Sequence, residues 1–298
     1  MDVMLPAVTL RPPLPQDVWQ AWNWDPLLLL GIFLSGVLYT GGILRLWRQA
    51  GAARAVSYMQ VTAFACGLLG LVVALISPLD AMSGALLSAH MVQHLLLMMV
   101  VAPLLVFGTP PVALAWIMPR RIQLARWWRR RAGLRRMWHG FSRPALIWIV
   151  YLAILWMWHL PRLYQAALLD ARVHSVEHTT FLGAAMLFWW ALMRHRTLSK
   201  GLGALYVFTA ALLSGLLGVL LTFSQTVWYP AYGVVPYGWG LTPLQDQQLA
   251  GVIMWFPGGL IYLAATILLL GTALQRRARA EGSGRVVVAP RRSLKVQG

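Results

Sequence analysis

Two pairs of histidines in this sequence repeat one spacing. His90 and His94 stand four residues apart in AHMVQHLLLMMVVAP, and His174 and His178 stand four apart in VHSVEHTTF. On a helix this spacing puts both imidazoles on one face, with about 5–6 Å between their Cβ atoms. Neutral imidazole is a ligand for copper, zinc, iron and nickel, and a thioether selects copper(I). Met98 continues the first stripe one turn further along, and His159 closes the apolar run WMWHLP. Asp246 and Met254, eight residues apart, fall on a similar face of the last apolar segment. His90, His94, His159, His174, His178, Asp246, Met98 and Met254 are therefore the candidate metal ligands.

Each of these residues also has a plainer reading. A lone histidine at a helix end is ordinarily an interfacial polar group, but two matched pairs point to a shared site. Glu177 adjoins His178, where it is expected to orient an imidazole from behind or to favour a helix start. Asp80 and Asp246 both suit helix N-caps. His139 and His195 lie in basic connections, where solvated roles suffice. Other chemistry finds little support. The single cysteine, Cys66, allows no CxxC thiolate site and no internal disulfide. HxxxH lacks the glutamate of a zinc-protease HExxH motif. Neither a nucleophile with its base nor a phosphate-binding glycine loop is visible, so an enzyme is not expected.

The elements that carry these residues follow from composition. The chain has 298 residues, 59% hydrophobic and only 11% charged, against about 25% charged in soluble domains. Apolar runs long enough for a bilayer, roughly 20 residues, occur at 26–46, 57–76, 85–107, 144–159, 173–193, 202–223 and 248–273. Backbone groups in lipid must be satisfied internally, so each run is expected to be a helix. The expected fold is all-α and polytopic: an arm at 1–25, a seven-helix domain at 26–273 and a tail at 274–298. Pro103 and Pro257 are expected to kink their helices. The first long apolar run begins near Leu27 without a basic start, which argues against a cleaved leader.

Charge orients the segments. Alternate connections hold 22 of the 25 Lys and Arg, nine of them in the connection 108–143. The opposite set holds only Arg11, Arg162 and Arg172. The positive-inside rule then puts the N-terminus outside and the C-terminus in the cytoplasm. All five candidate histidines consequently fall near the outer face. The segment RRIQLARWWRRRAGLRRMWHGF mixes arginines with Trp127, Trp128 and Trp138. It reads as an interfacial helix on the anionic inner leaflet rather than a nucleic-acid surface. The outer connection SQTVWYPAYGVVPYGWGLTPLQDQ has no basic residue. Its aromatics suit interfacial anchoring or a docking surface.

The stretches HMVQHLLLMMVVAPLLVFGTP, WHLPRLYQAALLDARVHSVEHTTFLGAAMLFWW and DQQLAGVIMWFPGGLIYL resemble the CtaG family of bacterial cytochrome c oxidase assembly factors. The resemblance covers about residues 80–270. It implies a protein of the bacterial plasma membrane that helps mature a haem–copper oxidase at a copper-insertion step. An oxidase subunit and an extracytoplasmic copper chaperone are the partners it implies, without catalytic turnover. It carries His90, His94, His159, His174, His178 and Asp246 over as candidate positions. Three rivals remain: a haem protein with paired axial histidines, a copper transporter using deeper polar groups such as Gln60, Thr62 and Thr209, and a metal-free scaffold.

Overall fold

The computed structural model describes residues 13–117, 131, 133, 140–194 and 198–282. The segment with Trp127, Trp128 and Trp138, together with His139, His195 and the chain beyond 282, lies outside the described residues. Every regular element among the described residues is helical. α1 (Pro26–Ala50) starts where the Asp25 carboxylate accepts from the N–H groups of Leu27 and Leu28, with Pro26 preset for the first turn. α2 (Tyr58–Leu75) opens on a capping box between Ser57 and Gln60. The short α3 (Pro78–Ser83) is capped by Ser77. There follow α4 (Leu87–Phe107), α5 (Pro110–Ile117), α6 (Pro144–Trp158), α7 (Pro161–Leu169), α8 (Ala171–Arg194), α9 (Lys200–Phe223) and α10 (Pro243–Gly282).

By length and apolarity five helices qualify to cross a membrane, namely α1, α2, α4, α9 and α10 up to Gln275. α6 and α7, bent by 71° at His159–Leu160, make a sixth if taken as one span. Beyond the fourth expected run, which ends at His159, the chain forms a further helix, because Pro161 restarts it in a new direction. α8 is 24 residues long, but Arg172, His174, Glu177 and His178 interrupt its first half. α10 continues past the expected end at 273 to Gly282, and Pro257 sits inside it.

α4 is the central rod. In its most apolar window 61% of residues are buried, against 17% in α1. One side of α4 packs with α6, α8, α9 and α10 around Tyr151, Phe181, Phe188, Trp189 and Tyr262. The other side packs with α1 and α2 around Tyr39, Ile43, Phe64 and Leu97. The outward faces of α1 and α2 expose Leu27, Phe33, Met59 and Leu69. Such an apolar exterior suits lipid and not water.

α9 and α10 meet backbone to backbone. A Cβ on Gly251 would lie 2.5 Å from the Thr222 nitrogen and 2.5 Å from the Gly218 oxygen. Small residues allow this approach, the usual device for joining helices in a bilayer. Within α4, residues Leu96–Val101 form a π-helical turn. Its ladder is interrupted where Pro103 would have to donate to the Met98 carbonyl five residues back. Pro103 has no N–H, and the indole of Trp189 donates to that carbonyl at 2.9 Å instead. The disturbance expected at Pro103 is therefore a widened turn closed by a neighbouring helix.

Candidate metal centre

The start of α4 is held from three directions. Leu86, its N-cap, offers no side-chain oxygen. Asp246 of α10 does that work: its carboxylate accepts from Leu87 N–H at 2.7 Å, Ser88 N–H at 3.1 Å and the Ser88 hydroxyl at 2.5 Å. Gln93 donates to the Ala74 carbonyl and to Asp80, each at 2.8 Å. Asn23 donates to the other Asp80 oxygen at 2.9 Å. Burial pushes the Asp80 carboxyl above its usual range, against the opposing hydrogen bonds from Gln93 and Asn23. These contacts fix the rotation and height of His90 and His94, one and two turns into α4.

α8 brings the second pair. His90, His174, Glu177 and His178 each present a ligand atom, and these atoms all lie within 4.8 Å of one another. Metal–ligand bonds of about 2.0–2.2 Å in a tetrahedral shell separate ligand atoms by roughly 3.4 Å, so closure requires only small side-chain movements. The ring centroids confirm the convergence: His90–His94 4.2 Å, His174–His178 4.1 Å, His94–His178 5.1 Å and His90–His174 5.4 Å.

Electrostatics agree with the geometry. Glu177 is fully buried, and neither carboxylate oxygen has a hydrogen-bond partner. Its nearest positive candidates are His90 Nε2 at 3.7 Å and His94 Nε2 at 3.9 Å. Both ring nitrogens of His90 and of His94, and His178 Nε2, are likewise buried without hydrogen bonds. Buried polar atoms are nearly always satisfied, and a buried charge needs a partner. One cation within this basket answers several orphaned atoms together.

The Glu177 carboxylate, expected to orient an imidazole or to favour a helix start, lies among the imidazole nitrogens of His90, His174 and His178, all within 4.8 Å of one another. The signal lay in the spacing: His174, Glu177 and His178 stand at i, i+3 and i+4, one helix face. Asp246, expected as an N-cap of its own helix or as a metal ligand, has its carboxylate on the first N–H groups of α4 instead. His159, Met98 and Met254 are not part of the basket; with His94 they line a cavity of about 50 Å³.

A cover of tyrosines lies over the basket. The ring of Tyr164 in α7 stands 5.1 Å from His90. Its hydroxyl hydrogen-bonds that of Tyr232 at 2.8 Å, and Tyr229 donates to the His159 carbonyl at 2.8 Å. Burial pushes the Tyr229 and Tyr232 hydroxyls up, so both stay protonated. The aromatic connection thus packs inward on the site. The arm reaches the same end, where Trp239 donates to the Pro13 carbonyl at 3.2 Å.

The chain is 26% identical over 265 residues to uncharacterized proteins of Mycobacterium bovis and of Mycobacterium tuberculosis. That alignment covers 85% of this chain but only 39% of each relative, so the chain spans about two fifths of their length. No solved structure matches it. The family described as cytochrome c oxidase caa3 assembly factor (Caa3_CtaG) matches residues 37–276, which include the whole basket and its cover. The chain belongs to that family of cytochrome c oxidase assembly factors.

Proposed function

We propose that this protein holds copper in the basket of His90, His174, Glu177 and His178, with His94 beside it, and passes it to an oxidase subunit during assembly. The observation that carries the reading is the buried, unpartnered Glu177 carboxylate surrounded by unpartnered imidazoles. Three neutral imidazoles and one carboxylate suit a divalent first-row ion, with copper high in the affinity order. Delivery requires ligands that exchange, and imidazoles and a carboxylate are such ligands.

The same reading places seven spans in a bacterial plasma membrane, α8 among them, with the N-terminus outside and the basic connections on the anionic inner leaflet. The arginine asymmetry supports that orientation. It sets the basket near the outer face, where an extracytoplasmic copper chaperone can reach it. A through-path for transport finds less support. Gln60 is engaged in the α2 cap and with the Phe107 carbonyl, and Thr209 bonds the Leu205 carbonyl of its own helix. Haem finds less support, since the imidazoles of His90, His94, His174 and His178 crowd one small volume together with the Glu177 carboxylate.

The test is metal analysis of the purified full chain in detergent. His90→Ala with His94→Ala is expected to remove bound copper and oxidase maturation while membrane insertion persists. Unchanged copper content in that double variant would refute the assignment.

A further inference from the structure

The cavity below the basket has a different chemistry. Its wall includes Met91, His94, Met98, Met99, His159 and Met254, with the Tyr151 and Tyr262 hydroxyls, and contains no carboxylate. The two tyrosines hydrogen-bond each other at 2.5 Å and so satisfy one another. His159 Nδ1–H donates to the Leu155 carbonyl at 2.7 Å. That bond fixes the tautomer and leaves the lone pair on Nε2, which is buried without a partner. His94 is 4% exposed and both its ring nitrogens are unpartnered. Met98 and Met99 enter the wall from the π-helical turn, a feature frequent at functional sites. The volume of about 50 Å³ admits an ion; a water needs roughly 10–15 Å³.

We propose that His94, His159, Met98 and Met254 form a second metal site, separate from the basket, that takes a soft monovalent ion, copper(I). Every donor is neutral. The Born cost of burying an ion grows with the square of its charge, so a divalent ion costs about four times as much there as a monovalent one. Thioethers add selectivity for copper(I). The basket, with Glu177, supplies the negative charge that a divalent ion requires. His94 stands at the junction, its Nε2 3.9 Å from Glu177 Oε1. The protein thus offers two adjoining sites graded by charge and softness. This inference rests on the copper reading only for the identity of the physiological metal.

Silver(I), which has no competing redox chemistry here, is the probe. The full chain in detergent is titrated with silver(I) and, separately, with copper(II); silver absorption-edge spectra report the neighbouring atoms. Met98→Leu with Met254→Leu conserves volume, so the fold should persist. The expected result is at least a tenfold loss of silver affinity in that double variant, loss of sulfur neighbours, and copper(II) binding within about twofold of wild type. Glu177→Gln should weaken copper(II) and leave silver binding in place. Silver affinity unchanged in the methionine double variant, or silver bound by wild type without sulfur neighbours, overturns the second site. If wild type fails to bind copper(II), the basket reading falls, while silver held by sulfur still supports this one.

Discussion

His90 Nε2 lies 3.7 Å from Glu177 Oε2, deep between α4 and α8, and neither atom makes a hydrogen bond. The distance is too long for a hydrogen bond and short enough for two ligands of one ion. A buried carboxyl group left without a partner costs stability, and a cation at this position would supply one.

Glu177→Gln should therefore act with opposite signs in two states. Without metal, the variant replaces an unpartnered buried carboxyl by an uncharged amide and should melt at or above the wild-type temperature. With copper(II) it loses the one anionic ligand, and its affinity should fall at least tenfold, about 1.4 kcal/mol or more. Melting curves of detergent-solubilised protein with and without copper(II) check both signs. A variant less stable than wild type in both states contradicts the ligand role.

Asp246 should matter through α4. Asp246→Ala leaves the Leu87 and Ser88 N–H groups without their acceptor, a loss of about 1–2 kcal/mol typical of an N-cap. Because the same contact sets the height of His90, copper affinity should drop as well. Asp246→Asn, which keeps one acceptor oxygen, should recover part of both. Thermal unfolding and copper titration of the two variants decide the point.

Asp80 predicts a pH dependence. Its folded pKa lies above the unfolded value of 3.8 because burial disfavours the carboxylate. The native state therefore binds the proton more tightly than the unfolded chain does. Its contribution is present in full below the unfolded value and is lost as pH rises through the folded one. In metal-free protein, the stability of wild type relative to Asp80→Asn should fall as pH rises through this window. Melting temperatures taken from about pH 4 to pH 6.5 measure the difference in slope; parallel slopes would count against a raised Asp80.

Gly251→Leu tests the helix seam. The new Cβ would meet the Thr222 nitrogen and the Gly218 oxygen at 2.5 Å, backbone atoms that cannot rotate away. Separation of α9 from α10 should cost about 1–3 kcal/mol, the scale of an overpacked core. Denaturant titration of the purified protein reads this directly. Gly183→Leu, where a Cβ meets nothing within 4 Å, should be close to neutral.

Much was determined by sequence alone. An apolar composition forces backbone groups to pair within each segment, so a set of helices follows from hydropathy without reference to any neighbour. Imidazole pairs four residues apart share a face whatever surrounds them, which made His90, His94, His174 and His178 legible. The relative heights and rotations of α4 and α8 were not local properties. They depend on Asp246 capping a helix 159 residues away from it along the chain and on Gln93 reaching Asp80. Only packing could divide one expected ligand set into a basket with Glu177 and a carboxylate-free cavity with Met98, His159 and Met254. Periodicity assigns a residue to a face, but which faces enclose a common volume depends on how several helices fill space together.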